Sequence, residues 1–170
     1  RTARPLLIAL LVAGLVGTVS GGPVGAEPRL GTTRTITIPA AAFAPIDRSV
    51  DYYRLADDLH LNAGTGTFEA PVYFEAPVVQ IRKVVFYVVD GGPSSVAVGV
   101  YRVQLAEGRT VQLGNGYSAD TGSWEPQTVT VSDLAERRIS GAYGAVLNVY
   151  LPGTYPQGYK LLGAKVTYSY

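Results

Sequence analysis

Short stretches of alternating apolar and polar residues, separated by turn residues, run along most of the chain. From residue 34 onward β-branched and aromatic residues dominate, and turn residues return about every 8 to 12 positions, a spacing typical of sandwiches and barrels. We therefore predict an all-β fold, an antiparallel β-sandwich with about 8 to 9 strands and very little helix. The predicted strands lie near Arg34–Ile38, Thr67–Phe74, Ile81–Asp90, Ser95–Leu105, Thr110–Leu113, Gln127–Val131, Tyr143–Leu151 and Tyr159–Tyr170, with a ninth around Asp58–Leu61.

A few segments depart from the strand pattern. Arg48–Leu59 and Ser132–Arg138 are each predicted to hold at most a turn or two of helix, because neither keeps an apolar period of about 3.6 residues. The dipeptide Asn115-Gly116 predicts a turn. It lies in the longest irregular stretch, Gly114 to Pro126, which we predict to be a loop.

The segment Val84–Val89 is apolar at both odd and even positions. A strand that is apolar on both faces is usually central, with its second face covered by a sheet, a loop or another subunit. We therefore expect a central strand here. Assembly into a homo-oligomer is one way to cover its outer face.

The N-terminal segment has the arrangement of a secretory signal peptide. Arg1 and Arg4 precede an apolar run, Leu6–Val19, and small residues follow as far as Ala26. The run is about 14 residues long, whereas a membrane-spanning helix needs roughly 20. We predict a cleaved segment, with a retained anchor as the alternative, and no stable membrane span after cleavage. The predicted boundaries are a signal peptide over residues 1–26, a flexible lead over 27–33 and a single β-sandwich domain over 34–170.

Composition narrows the classes of function. Of the 14 basic residues two leave with the signal segment, so 12 accompany the 13 acidic residues. A nearly neutral chain without a basic cluster argues against nucleic acid, because phosphates require several Lys or Arg on one face. The chain has no cysteine, which excludes disulfides and thiolate sites. These features suit a protein that is secreted or held in a bacterial cell envelope.

Several strand-and-turn motifs form a familiar set. They are GTFEAPV, VVFYVVDGG, VGVYRVQL, AYGAVLNVYLP and the closing LLGAKVTYSY. Together they resemble a loose set of uncharacterised secreted bacterial proteins that are single-domain β-sandwiches with jelly-roll character. The resemblance spans nearly all of the exported chain and implies that fold, but it implies no activity, ligand or functional residue.

The segment FEAPVYFEAP, Phe68 to Pro77, repeats the letters FEAP. Along a straight strand Glu69 and Glu75 share a face but lie roughly 20 Å apart, whereas the carboxylates of glycosidase pairs lie about 5 to 9.5 Å apart. We therefore predict two solvent-facing glutamates and no catalytic pair. Because proline cannot donate to a strand ladder, Pro71 predicts a sheet edge or a bulge.

His60 is the only histidine. In an extended segment Asp58, His60 and Asn62 share one face, and an aspartate beside a histidine can orient a general base or supply metal ligands. No serine motif nominates a nucleophile, so solvent-facing alternation explains the same letters and no catalytic residue is predicted. No cofactor or metal is predicted either, with a structural calcium bound through Asp90 and Asp120 as the alternative.

The predicted loop carries the sole tryptophan, Trp124. A planar indole beside carboxylates can stack on a sugar ring while the carboxylates accept its hydroxyl protons. The alternative is an indole that plugs one end of the sandwich. The candidate ligand-binding residues are Trp124, Tyr117, Asp120, Glu125 and Tyr155.

These observations favour an exported, non-enzymatic module that binds a glycan or a cell-surface protein, or that assembles with copies of itself. A carbohydrate-binding module that uses Trp124 and loop tyrosines is the first alternative. A hydrolase whose carboxylates converge from distant strands is the second. The single histidine and the absence of cysteine weigh against an enzyme without excluding one.

Overall fold

A computed structural model describes residues 31–119, 122–135, 137–154 and 158–170. Strands dominate these residues, which contain no α-helix. The elements are β1 (Thr33–Pro39), a 3₁₀ turn (Ala40–Ala42), β2 (Ala44–Pro45), β3 (Tyr52–Arg54), β4 (Leu59–Leu61), β5 (Gly66–Val72), β6 (Val78–Asp90), β7 (Ala97–Gln104), β8 (Arg109–Tyr117), β9 (Ser123–Val131), β10 (Arg138–Ser140), β11 (Tyr143–Leu151) and β12 (Tyr159–Ser169).

The strands form two antiparallel sheets packed face to face. The seven-stranded sheet has the order β10-β6-β12-β4-β3, with β9 also beside β6 and β1 also beside β12; the five-stranded sheet has the order β2-β5-β11-β7-β8. Successive strands repeatedly change sheet, as from β4 to β5, from β5 to β6 and from β6 to β7. The prediction of a β-sandwich with jelly-roll character is confirmed, with a few more strands than expected.

The prediction of a central strand at Val84–Val89 is confirmed. Strand β6 pairs with β12 on one side and with β9 and β10 on the other. Val84, Phe86 and Val88 point into the core and are fully buried. On the outer face the Lys165 ammonium lies 5.5 Å from the Tyr87 ring centroid, so a neighbouring strand of the same sheet supplies contacts to that face.

Some local predictions are wrong. The loop and turn predictions are the ones concerned, since very little helix was expected: the described residues of Arg48–Leu59 and Ser132–Arg138 form no helical turn, and the first segment contains β3. The expected loop from Gly114 to Pro126 is largely strand, because β8 continues to Tyr117 and β9 begins at Ser123. The Asn115-Gly116 turn is therefore absent.

The glycines of β8 explain why that loop prediction failed. A Cβ atom on Gly114 would lie 2.8 Å from Val131, and a Cβ atom on Gly116 would lie 2.8 Å from Val129. These glycines let β8, at the edge of one sheet, approach β9 of the other sheet closely. Their role is packing, whereas the sequence pattern suggested a turn.

The edge prediction from Pro71 agrees with the strand pairing. Pro71 is exposed and pairs with Val146 of β11 on one side. On its other side the short strand β2 pairs only with Phe68 and Glu69. The missing N–H of Pro71 therefore faces the unpaired edge of β5.

Candidate functional site

We call one end of the sandwich the Trp124 end. Its described residues belong to the connections that follow β6 (residues 91–96), β8 (residues 118–119 and 122) and β11 (residues 152–154 and 158). Trp124 enters this end from a bulge in β9. Asp90 of β6 pairs with Ser123 and Val89 pairs with Pro126, so Trp124 and Glu125 are two extra residues without a partner position on β6. Bulges re-aim side chains in this way.

The Trp124 indole lies on two glycines, which we call the glycine floor. A Cβ atom on Gly91 would lie 3.3 to 3.4 Å from Nε1, Cδ1 and Cε2 of the indole, and one on Gly158 would lie 3.2 Å from Cε2 and Cζ2. The Gly91 N–H donates to the Gly158 carbonyl at 3.2 Å. The Trp124 side chain nevertheless keeps 53% of its surface exposed. One side of the indole is therefore backed by main chain, and the open area lies on the rest of the ring.

A buried tyrosine packs against Gly92, the residue that follows Gly91 of the glycine floor. Tyr159 is almost fully buried and its hydroxyl accepts the Ser94 N–H at 2.9 Å. Gly92, the neighbour of Gly91, packs against the Tyr159 ring so closely that a Cβ atom would lie 2.6 Å from its Cε2 atom. The loop beneath the indole is thus held by packing and by a hydrogen bond.

Asp90 and Ser118 join the connections of the Trp124 end. Both residues are buried, and the Ser118 hydroxyl donates to Oδ2 of Asp90 while it accepts the Val96 N–H at 2.7 Å. Within the described part of the chain, Oδ1 of Asp90 has no hydrogen-bond partner, and no three His, Asp or Glu side chains gather as a metal site. Calcium requires about 6 to 8 oxygen ligands, so a calcium site at Asp90 stays a prediction.

The structure describes three of the five predicted ligand-binding residues. Tyr117 ends β8 and is 65% exposed. Trp124 and Glu125 lie together in the exposed bulge of β9, where the Glu125 N–H donates to the Ser123 hydroxyl at 3.2 Å. Asp120 and Tyr155 fall outside the described residues. Because more than half of its side chain is exposed, Trp124 does not plug the core.

The Asp58–His60 contact exists, and the Asp58 carboxylate also forms an ion pair with Lys160. Oδ1 of Asp58 lies 3.2 Å from Nδ1 of His60, and Oδ2 accepts a hydrogen bond from Lys160 at 2.9 Å. The His60 ring also lies 5.5 Å from the ring of Tyr53. Since β4 and β12 share a single residue pair, the Asp58–Lys160 bond helps hold these strands together. Asn62, the third predicted member, donates instead to Asp51 at 3.0 Å.

Glu69 and Glu75 have separate partners. Glu69 accepts a hydrogen bond from Asn148 of the five-stranded sheet at 3.3 Å. Glu75 is exposed and forms an ion pair with Arg34 of the seven-stranded sheet. Next to this pair, burial raises the pKa of Tyr168 above its usual range, and the Glu75 carboxylate adds to that shift. The two glutamates are engaged with different sheets, as expected for residues without a joint catalytic role.

The opposite end of the sandwich carries two cavities that the sequence did not indicate. We call it the Tyr73 end; it contains the β5–β6 connection (residues 73–77), the β7–β8 turn (residues 105–108) and the β10–β11 turn (residues 141–142). An apolar cavity of about 480 Å³ lies there, and a smaller one of about 270 Å³ lies next to it, since Tyr143 lines both. Tyr73 and Leu105 are exposed apolar residues at this end. They alone do not indicate a cavity in the sequence, because single exposed apolar residues are common on protein surfaces.

Comparison with known proteins gives structural neighbours only. No family model matches the chain, and no curated protein matches it. Among solved structures, the C-terminal CBM6 of the laminarinase LamC from Zobellia galactanivorans has 16% identity and a TM-score of 0.49 over 79% of this chain and 99% of its own. The xylan-binding module CBM86 from Roseburia intestinalis has 13% identity and a TM-score of 0.46, over 81% and 95%. A CBM35 from Cellvibrio japonicus has 13% identity and a TM-score of 0.47, over 78% and 92%.

The strand pairing of the chain itself establishes the β-sandwich. Among the residues that the structure describes, no helix is long and apolar enough to cross a membrane.

Proposed function

We propose that this protein is a non-enzymatic binding module that takes a carbohydrate at the Trp124 end. The observation that carries the proposal is the half-exposed indole of Trp124 backed by the glycine floor. Sugar rings present apolar C–H faces that pack on aromatic rings, and Trp offers the largest such surface. A ring that is held in place before the ligand arrives also lowers the ordering cost of binding.

Polar groups beside the indole suit the rim of a sugar site. Glu125 shares the bulge with Trp124, and its carboxylate can accept hydrogen bonds from sugar hydroxyls. Tyr117 is the last residue of β8 and lies seven positions before Trp124 in the sequence. Its exposed phenol offers a second ring and a hydroxyl. We therefore assign Trp124 as the stacking platform, with Glu125 and Tyr117 as supporting contacts.

Replacing Trp124 by alanine is expected to weaken glycan binding roughly 30-fold, because a buried aromatic anchor typically contributes about 2 kcal/mol or more. The measurement is a glycan array followed by titration calorimetry on the best ligand. Tyr53→Ala is the matched control, since Tyr53 is 51% exposed and lies on β3, four strands from β9 in the same sheet.

Two outcomes would count against the proposal. Equal affinity of the Trp124→Ala variant and the unchanged protein would remove Trp124 from the site. An intact protein that binds none of the glycans would require a partner of a different class, such as a cell-surface protein.

A further inference from the structure

Several cationic side chains lie together on the outer face of the seven-stranded sheet. They belong to β10, β6 and β12, and β6 pairs with β10 on one side and with β12 on the other. We call this surface the basic face. Its cations are Arg82, Lys83, Arg138 and Lys165, and all four are exposed. Residues so far apart in the sequence are brought together here by strand pairing.

A β-bulge places two adjacent cations on this face. Ile81 pairs with Tyr168 and Lys83 pairs with Thr167, so Arg82 is an extra residue without a partner position on β12. Adjacent residues of a regular strand point to opposite faces. At this bulge both Arg82 and Lys83 are exposed, and the residues on either side of them are buried. The bulge therefore adds a positive charge to the outer face.

The other two cations are diagonal neighbours of this pair. Lys165 pairs with the residue two positions after Lys83, and Arg138 pairs with the residue two positions before Arg82. Diagonal neighbours in a sheet have backbones about 7 to 8 Å apart. The positive charge is thus continuous across three neighbouring strands.

No carboxylate of the described residues forms an ion pair with these four side chains. The Lys165 ammonium contacts the Tyr87 ring, which does not neutralise its charge. Strands β1, β6, β9, β10 and β12 contain two acidic residues, Asp90 and Glu125, and both lie at the Trp124 end. Along β6, Lys83 lies seven positions from Asp90, a distance of roughly 23 Å. Because like charges on neighbouring strands repel, an anionic ligand would stabilise this face.

The uncharged groups of the basic face favour a polysaccharide among anionic ligands. Thr167 lies beside Lys83, and the hydroxyls of Thr35 and Thr167 are 3.5 Å apart. Such hydroxyls can exchange hydrogen bonds with sugar hydroxyls. None of the large hydrophobic side chains that are exposed lies on β1, β6, β10 or β12. These strands therefore offer no exposed ring for base stacking and no apolar side chain for insertion into a membrane.

We infer that the basic face binds an acidic polysaccharide, whose carboxylate or sulfate groups lie on the four cations while its hydroxyls contact the threonines. Arg82 is oriented for this role, because its Nε donates to the Ser169 hydroxyl at 2.8 Å. Its two terminal nitrogens make no hydrogen bond to the described residues and can bind an anionic group. This site goes beyond the carbohydrate site proposed at the Trp124 end and does not depend on it.

Titration calorimetry with polygalacturonate, dextran sulfate and neutral dextran tests the class of ligand. The Trp124→Ala variant is used beside the unchanged protein, so that the Trp124 end does not contribute to binding. At low ionic strength both proteins should bind the two anionic polymers, and the Trp124→Ala variant should not bind dextran. Affinity for the anionic polymers should fall as NaCl is added, because salt screens exposed charges. Equal affinity of this variant for dextran, or an affinity unchanged by salt, would overturn the inference.

The double variant Lys83→Gln/Lys165→Gln tests the location. It should bind both anionic polymers about 25-fold more weakly, because each exposed contact between opposite charges contributes about fivefold. Arg48→Gln/Arg109→Gln is the matched control, since it removes the same charge at two exposed positions away from this face. The control should bind as the unchanged protein does. An equal loss in the control would overturn the inference, because the effect would then come from net charge alone.

Urea denaturation separates a binding role from a structural one. The Lys83→Gln/Lys165→Gln variant should have a denaturation midpoint at least as high as that of the unchanged protein, because the change removes a like-charge repulsion. A lower midpoint would count against the inference, since these lysines would then be needed for the fold.

Two other classes of partner are distinguished by direct competition. Tighter binding to duplex DNA or to anionic phospholipid vesicles than to polygalacturonate, at equal ionic strength, would overturn the inference in favour of that partner. The loss caused by Lys83→Gln/Lys165→Gln should be the same with and without Trp124→Ala, because distant sites act independently. Failure here and failure of the carbohydrate proposal are therefore distinguishable.

Discussion

Replacing Gly92 by alanine is expected to lower the free energy of unfolding by about 3 kcal/mol, because a new methyl group in a filled site forces neighbouring atoms to move. The added Cβ atom would overlap the hydroxyl and ring of Tyr159. That ring is buried and is fixed by its hydrogen bond from the Ser94 N–H. It therefore cannot move aside without breaking this bond and disturbing the adjacent Gly91, on which the Trp124 indole lies.

Urea denaturation of the unchanged protein and of Gly92→Ala measures this difference. Gly141→Ala is the matched control: its Cβ atom would have no neighbour within 4 Å, and Gly141 is not among the glycines with positive φ. The control should be neutral or slightly stabilising. A Gly92→Ala protein within about 0.5 kcal/mol of the unchanged protein would show that the Tyr159 packing is looser than described.

The second large effect is expected at Phe86, where truncation to alanine should cost about 4 kcal/mol. Phe86 is fully buried in the centre of β6 and pairs with Ala164 and Val129. Tyr87→Ala, the next position, should cost only about 1 kcal/mol because Tyr87 is half-buried on the outer face. This comparison asks which face of β6 points into the core.

Chemical denaturation of the Phe86→Ala and Tyr87→Ala variants measures the two losses in the free energy of unfolding. A larger loss for Tyr87→Ala than for Phe86→Ala would mean that the register of β6 is shifted by one residue, since such a shift exchanges the two faces of a strand.

The fold class was predictable because strand periodicity and turn chemistry are local properties. The predicted strands near Arg34–Ile38 and Tyr143–Leu151 correspond to β1 and β11, which have almost the same bounds. At Pro71, the edge inference rested on a missing backbone donor, and the pairing of β5 agrees with it.

The loop containing Asn115-Gly116 shows where local rules fail. That dipeptide is a strong turn signal in isolation. In the folded chain Gly116 lies against Val129 of β9, and these two residues belong to different sheets. Packing between sheets therefore decided the conformation, and no local pattern could have predicted it.

The candidate sites divide in the same way. Trp124 was recognisable as a candidate because a sole tryptophan among small polar residues is conspicuous. The packing of the Trp124 indole on Gly91 and Gly158 was not recognisable in the sequence, because these glycines belong to two other connections. The predicted signal segment, Asp120 and Tyr155 lie outside the described residues, so they stay predictions.

By itself, the sequence determined that this chain forms a β-sandwich with little helix, no disulfide and a central apolar strand, because residue type and period set these properties locally. Only the tertiary structure decided which glycines lie in turns, which lie at close contacts between strands, and which face of β6 is buried. It alone brought Trp124 onto its glycine floor and Arg102 beside Tyr143. The physical reason is that these contacts join strands whose pairing and register depend on the whole core.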